Sequence, residues 1–404
     1  MRVVIAPDSF KGTASAPGVA AAVAAGWHDE RPDDDLVLVP MADGGEGTLD
    51  AVAAAVPGSE RVAVTVTGPD DRPVVTAWLR LPDGRAVVEL AATSGLTLLD
   101  ALRPDTAHTT GFGQAIAAAL DAGATGLLLG IGGSASTDGG VGALQALGLR
   151  TGAQSDVTGG AVLDHVPPVD PTGLRALPPL GVVVLSDVTS PLLGVHGAAA
   201  VFGPQKGVAP DRLAAHEERL RRWAACFPEV DPSTPGAGAA GGTGFGLLAW
   251  GATAGRTRAA AADDTGAGPA TAADGTGAVP TAADVPGPSV MITSGATTIA
   301  EAVGLADAVA RADLVVTGEG RFDGQSSAGK APAVVLAVAE HLGTPVALVA
   351  GAVEAPVGAF ASAASLTVIA TQTTGAPDDA HRDPLRFARI AGRRLARMQG
   401  APGA

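Results

Sequence analysis

Short apolar runs that stop abruptly in glycine and acid alternate along this chain with longer, small-residue stretches of helical period. "RVVIAPDS" reads as a buried parallel strand, a β-branched run ended by proline and polar residues. "SAPGVAAAVAAGWHDE" reads as a helix capped by Ser15. "DLVLVPMADGGEG" repeats the strand and glycine loop, and "GTLDAVAAAV" is the next helix. This βαβα order predicts a parallel sheet with its loops of interest at the carboxyl ends of the strands. From about residue 60, "ERVAVTVTGP", "PVVTAWLRLP" and "GRAVVELA" alternate like a meander of half-buried strands. Helix and strand return with "GFGQAIAAALDAG" and "ATGLLLGIGG", and "LGVVVLSDVTSP" is a strand ending in an acid.

Toward the C-terminus, "ITSGATTIAEAVGLADAVA" reads as helical and "ADLVVTGEGRFDGQ" as a strand with a Gly/acid loop. "APAVVLAVAEHLG", "PVALVAG" and "SLTVIATQTT" continue the βαβ pattern, and "DPLRFARIAGRRLARM" is an amphipathic terminal helix. The simplest architecture is one parallel α/β domain made of both chain ends, 1–60 with 290–404, and an inserted mixed α/β domain, 61–250. Between them, residues 251–289 are Ala/Gly/Thr/Pro-rich, with "PATAAD" echoed as "PTAAD". That stretch reads as a low-complexity insertion or linker without large apolar anchors.

Composition narrows the function classes. At 404 residues the chain is long enough for two sizeable cores. Its net charge of -15 is spread out, which argues against nucleic acid or an acidic membrane as partner. A single cysteine, Cys226, permits neither an intrachain disulfide nor a cysteine metal cage. No apolar stretch has membrane-spanning length, and "MRVVIAPDSF" is too short a run for a signal peptide, so a cytoplasmic protein is expected. Of 26 basic residues only Lys11, Lys206 and Lys330 are lysines, each in a small, Gly-flanked setting. Chance would place them so, or else a compact ammonium is needed there, as phosphate binding often requires.

Two glycine motifs imitate nucleotide loops and fail. In "LLLGIGGSASTDGG" the spacing Gly130-x-Gly132-x-x-Ala135 resembles a dinucleotide fingerprint, but no acid-ended strand follows some twenty residues on. What remains is a packing turn, or backbone N–H groups cradling an anion with Ser134, Ser136 and Thr137 as hydroxyl donors. The stretch Gly324-x-x-x-x-Gly329-Lys330 resembles a P-loop, but Ala331 stands where Ser or Thr must ligate magnesium, and the strand "DLVVTG" ends well before Gly324. A phosphate lysine at a helix start is the better reading of Lys330. Asp8, Asp43, Asp187 and Glu319 with Asp323 each follow an apolar strand, and strand ends of one sheet converge on a crevice. Phosphoryl transfer needs this inventory of acids, lysines and N–H groups. A metal hydrolase is the rival, although the seven histidines show no zinc spacing and no Gly-x-Ser-x-Gly elbow occurs.

The blocks "APDSFKGTASA", "VPMADGGEGT", "GIGGSASTDGG", "SDVTSPLLGVHGAAAVFGPQKG", "GAGAAGGTGFGLLA" and "TGEGRFDGQSSAGKAP" together resemble the bacterial glycerate kinases of the two-domain α/β type, glycerate kinase type 1. The resemblance runs in order along nearly the whole chain and departs at 251–289, where the family usually has a short connection. It implies ATP-dependent phosphorylation of D-glycerate with magnesium, usually giving 2-phosphoglycerate. It also implies a flavodoxin-like parallel-sheet domain, an inserted mixed α/β domain and an active site in the interdomain cleft. The candidate catalytic groups are Asp187, Asp43, Lys11 and Lys206, with Asp187 or Asp43 as the base. Candidate substrate and phosphate contacts are Asp8, Ser9, Gly44, Gly45, Gly132, Gly133, Ser134, Asp138, Glu319 and Lys330, and candidate metal ligands are Asp323 and Asp8. The expected partners are D-glycerate and ATP, with no nucleic acid, no membrane and self-association left open. The alternatives are a non-catalytic carboxylate or phosphate sensor and a kinase for another small hydroxy acid. A pocket that only binds anions would not gather Asp8, Asp43, Asp187 and Asp323, whose charge repels the ligand unless magnesium accompanies it.

Overall fold

An apolar run enclosed on both sides begins the fold: Val3, Val4, Ile5 and Ala6 have no exposed surface. The structure is a computed structural model and describes residues 1–152, 157–165, 169–264, 288–324 and 330–400. The strands among them are β1 (Arg2–Pro7), β2 (Asp35–Leu38), β3 (Glu60–Thr67), β4 (Pro73–Arg80), β5 (Ala86–Glu89), β6 (Leu127–Gly130), β7 (Val182–Leu185), β8 (Val290–Thr293), β9 (Leu314–Phe322), β10 (Val346–Val353) and β11 (Ser362–Ser365). Two compact units result. One is Met1–Arg61 with Leu185–Asp187 and Thr293–Ala404, and the other is Val62–Val184 with Val188–Ile292. The fold is therefore α/β, with one unit assembled from both chain termini and the other inserted.

The first unit holds a five-stranded sheet in the order β11-β10-β9-β1-β2. Every pairing in it is parallel. Counted within this sheet the order is 2-1-3-4-5, a doubly wound arrangement that reverses direction between β1 and β9. Alternation along the strands sends Val3, Ile5, Val316 and Val349 to one face. There they pack with Val19, Val23 and Trp27 of helix Ala16–Glu30 and Phe387, Ala391 and Leu395 of helix Pro384–Met398. Ser15 caps the first of these helices, its hydroxyl accepting from the Gly18 N–H at 3.3 Å, and Asp383 caps the second at the Arg386 N–H, 3.3 Å. The two helices cross closely: a Cβ on Gly26 would lie 1.8 Å from the Arg389 carbonyl oxygen, and one on Gly392 would lie 2.2 Å from that of Val23. Gly26→Ala must push the helices apart. It is expected to cost about 1–3 kcal/mol in urea unfolding, while activity per folded molecule is kept.

Three segments differ from their sequence reading. β9 runs on to Phe322 instead of ending at Gly318, because β10 continues the ladder through Ala352↔Arg321 and Val353↔Phe322. Phe322 also meets Phe360 edge-on at 5.5 Å. Glu319 thus lies within a strand, and only Asp323 follows it. The start of "ITSGATTIAEAV" closes β8, and the helix begins at Gly295 behind a Ser294 cap. The β-branched "SLTVIATQTT" forms helix Leu366–Thr374, whose Leu366, Ile369 and Ala370 make one buried face.

The inserted unit holds a six-stranded sheet in the order β3-β4-β5-β6-β7-β8. β4 and β5 are antiparallel and β5 and β6 parallel, so this sheet is mixed. Its core gathers Trp78, Phe112, Ile116, Leu129, Trp223, Phe245 and Trp250. The stretch Ala239–Asp264 is helical, with a left-handed interruption at Ala240, Gly241 and Gly242. It carries the chain past residue 250, and Ala252 and Ala254 pack against the core while Thr253 is 3% exposed. The beginning of the 251–289 segment is therefore anchored by small residues, which suffice where a helix lies close on its neighbours. Residues 265–287 of that segment lie outside the described residues. Among the described residues no helix is long and apolar enough to cross a membrane.

Candidate active site

In a doubly wound sheet, ligands bind outside the carboxyl ends of the strands where the order reverses. Here those ends belong to β1 and β9. Asp8 directly follows β1, and its backbone N–H donates to the Gly318 carbonyl at 2.8 Å. Glu319 sits on β9 opposite Ala350. Past β2 the chain still follows β1, with the Met41 N–H donating to the Pro7 carbonyl at 2.9 Å, and this brings Asp43 alongside. Lys11 Nζ donates to Asp43 Oδ2 at 2.7 Å, and the Gly45 N–H donates to Asp43 Oδ1 at 2.9 Å. The Ser9 N–H donates to Asp8 Oδ1 at 2.7 Å. The Asp43 loop needs glycine next: Gly44 has φ +86, and a Cβ there would fall 2.7 Å from the Leu185 carbonyl oxygen.

Charge is concentrated in this cluster, in which Asp8 is 4% and Glu319 6% exposed. Burial pushes the Asp8 carboxyl well above the usual carboxylate range, helped by the charges of Asp43 and Glu319 and opposed by Lys11. Burial also acts upward on Asp43, but the attraction and hydrogen bond of Lys11 outweigh it and hold Asp43 below its ordinary value. For Lys11, burial acts downward, yet Asp43, Asp8 and Glu319 together raise it. Beside the cluster lies a cavity of about 610 Å³, within the range of small-ligand sites. Its walls carry Asp8, Ser9, Lys11, Asp43, Glu319 and Asp323, joined by Lys330, which stands at the N-cap of helix Ala331–Leu342. Gly329 of the P-loop-like stretch lies outside the described residues.

Asp187, two residues past β7, belongs to the same unit but not to the cavity wall. Its Oδ1 accepts from the Ser294 hydroxyl and the Gly295 N–H, each at 2.9 Å. Its Oδ2 is buried and has no hydrogen-bond partner. Burial pushes this carboxyl up to about 6, with Ser294 opposing and the charge of Asp43 adding to the rise.

The inserted unit holds the other glycine loop, which leaves β6 at Gly130. Gly133 is exposed and Gly132 half-buried, while the hydroxyls beyond them turn inward. Ser134 Oγ and Ser136 Oγ lie 3.2 Å apart, and Thr137 Oγ1 donates to the Pro104 carbonyl at 2.7 Å. Asp138 has no exposed surface, and its oxygens accept from the Thr109 N–H and hydroxyl and from the N–H groups of Gly140 and Gly142. This carboxylate ties two helix starts together.

Lys206 is 3% exposed and holds the same loop, donating to the Ser136 carbonyl at 2.6 Å and to Ser134 Oγ at 3.4 Å. Burial pulls its ammonium down to about 7, against the charge of Asp138. Between about 7 and the ordinary lysine value of 10.5 the unfolded chain binds a proton that the folded protein has released, so the stability contributed by this group climbs with pH. Lys206→Met is expected to abolish that climb. Urea unfolding of both proteins at pH 7 and pH 9 should show the difference moving in favour of the wild type at the higher pH, and parallel curves would refute a neutralised buried lysine.

Among the described residues no group of three or more His, Cys, Asp or Glu side chains is preassembled for a metal. Magnesium needs no such cage, since it takes one or two carboxylates and completes its shell with phosphate and water oxygens. Asp8 and Asp323, hard oxygen donors on one wall, fit that demand. Several cavity residues had no sequence signal strong enough to find them: Gly351 inside β10, Thr367, Asp378 and His381. Ser294, which orients Asp187, lies in a stretch whose sequence pattern is helical and carries no site signal.

The sequence pattern of the glycerate kinase family matches residues 3–267 and 256–399, two stretches that overlap in the low-complexity segment. Glycerate 2-kinase of Escherichia coli (strain K12) is 38% identical over 369 residues, covering 89% of this chain and 87% of that protein. Glycerate kinase of Bacillus subtilis (strain 168) is 38% identical over 364 residues, covering 87% of this chain and 85% of that protein. A crystal structure of a Salmonella typhimurium LT2 protein assigned as glycerate kinase 2 aligns with a TM-score of 0.75 at 34% identity, over 99% of this chain and 98% of that chain.

Proposed function

Because the chain belongs to the glycerate kinase family, we propose that it transfers the terminal phosphoryl group of ATP to D-glycerate, with magnesium, to form 2-phosphoglycerate. The observation that carries this reading is the gathering of Asp8, Asp43, Glu319 and Lys11 at the reversal point of a parallel sheet, beside a cavity of small-ligand size. Phosphoryl transfer is mainly positioning and charge neutralisation. Lys11 and Lys330 supply positive charge for phosphate oxygens, while the Ser9 and Gly45 N–H groups hold the Asp8 and Asp43 carboxylates in place. Asp8 and Asp323 would hold the metal. A magnesium ion held by Asp8 and Asp323 would supply positive charge to offset what builds on the phosphate during transfer.

Asp187 is the base. Its free Oδ2 and raised carboxyl suit it to accept the proton of the attacking hydroxyl near neutral pH. Asp43 is the poorer base, because Lys11 occupies one of its oxygens and keeps it weakly basic. In the inserted unit, the loop backbone at half-buried Gly132 and exposed Gly133, with Ser134, is the proposed cradle for an anionic group. Lys206 keeps that loop in shape from behind. Use of ATP places the work in the cytoplasm. A binding-only sensor is disfavoured by the buried carboxylates, which repel an anion unless a cation comes with it.

Phosphorus NMR of a mixture of protein, ATP, magnesium and D-glycerate tests the reading. The expected product signal is a doublet, since the phosphate of 2-phosphoglycerate neighbours one carbon-bound proton. A triplet would mean transfer to the terminal hydroxyl. Absence of any new phosphate ester would reject the function.

A further inference from the structure

The cavity takes its lining from residues after or within strands all along the sheet edge, and the strand order fixes the sequence of those elements. Asp43 follows β2, Asp8 and Lys11 follow β1, Glu319 belongs to β9 and Asp323 follows it, Gly351 and Ala352 belong to β10, and Thr367 lies in the first turn of the helix behind β11. Adjacent strands lie about 4.8 Å apart, so five strand ends extend over roughly 19 Å. That is far more than a three-carbon acid needs and suits an extended nucleoside triphosphate. The two ends also differ in chemistry. The β2–β9 part holds the buried acids and Lys11, whereas the β10 part is walled by Gly351 and Thr367, with Pro377, Ala380 and Pro384 from the segment after the Leu366–Thr374 helix. Thr367 presents little polarity there, because its hydroxyl donates to the Gly351 carbonyl at 2.7 Å. No side chain is accommodated on Gly351, where a Cβ would lie 2.3 Å from the Gly320 carbonyl oxygen, so the wall stays flat. Two polar groups line this end, Asp378 and His381. Asp378 stands at the N-cap position of helix Asp379–Arg382, yet its carboxylate makes no cap hydrogen bond.

We infer that the β10–β11 end of the cavity is the nucleoside subsite, where the base lies on the Pro377–Pro384 wall and the Asp378 carboxylate accepts hydrogen bonds from the ribose hydroxyls. An acid in that role is a known solution to ribose recognition at strand ends. The triphosphate then points along the sheet toward Lys11 and the buried acids, and the acceptor is left to the far end. Such a subsite presupposes the kinase reading above, but it can be tested apart from it.

The test is binding of ADP, followed by calorimetry, to wild type, Asp378→Ala and Asp378→Asn, with steady-state kinetics on both substrates beside it. Loss of a hydrogen bond to a charged group is expected to weaken ADP binding about tenfold or more in Asp378→Ala. Asp378→Asn keeps the shape and one acceptor, so it should fold like wild type and lose less. The KM for ATP should rise in the same order, with the KM for glycerate unchanged. Unchanged ADP affinity in both variants, or a change confined to glycerate, would overturn the subsite. A wild type that binds ADP but never phosphorylates glycerate would reject the kinase reading alone, and the ADP comparison would still decide the subsite.

Discussion

Asp187→Asn is expected to lower kcat by about 10²–10⁴-fold, with the KM for ATP close to wild type. The carboxyl is pushed up to about 6 by burial and then by the charge of Asp43. A base must be ionised to accept a proton, so wild-type kcat should climb with pH through about 6 and level off above it. The variant should lose that acid limb along with the rate. Stability separates this from a folding defect. Between the ordinary value of 3.8 and about 6 the folded protein keeps a proton that the unfolded chain gives up, so wild-type stability falls as pH rises across that window. Asparagine retains an acceptor for the Gly295 N–H and carries no charge, so the variant should be at least as stable at pH 7. A variant that loses thermal stability but keeps its kcat would make Asp187 a structural residue.

Lys11→Met is expected to reduce kcat about 10²–10³-fold, the usual effect of removing one positioned electrostatic donor. Its ammonium is raised by Asp43, Asp8 and Glu319 acting together, and it bonds Asp43 directly at 2.7 Å. Methionine keeps the length and removes the charge, leaving three neighbouring acids to repel incoming phosphate. The lysine side chain is 57% exposed but Asp43 is largely buried, so losing the cation that holds Asp43 ionised should also lower the melting temperature, and kcat is compared on folded protein. Rates measured at saturating ATP and glycerate distinguish this from weaker binding, which would raise a KM and leave kcat intact. Full kcat in the methionine variant would remove Lys11 from the chemistry.

Local pattern revealed those parts of the molecule in which local and tertiary preferences agree. β1, its Ser15-capped partner helix and the β3–β4–β5 meander follow from periodicity and turn residues. β9 was cut short because Gly318, Glu319 and Gly320 look like a loop, while the ladder with β10 holds them extended. The acid of "STDGG" bonds Thr109, 29 residues earlier, at another helix start, a pairing no local window can reveal. The scarcity of lysine did point to informative positions. Two of the three lysines reach the cavity, and the third is buried beneath the second glycine loop. The nucleoside end of the cavity had no motif, since Gly351, Thr367 and Asp378 come from separate elements and meet only through the strand order.

The most direct check of the kinase reading is ADP release, followed continuously with ATP, magnesium and D-glycerate. The expected result is saturable, glycerate-dependent ADP formation matched mole for mole by phosphoglycerate, with a negligible rate when the acceptor is omitted. Saturable binding of glycerate without ADP release, or ADP release at the same rate with and without glycerate, would contradict it.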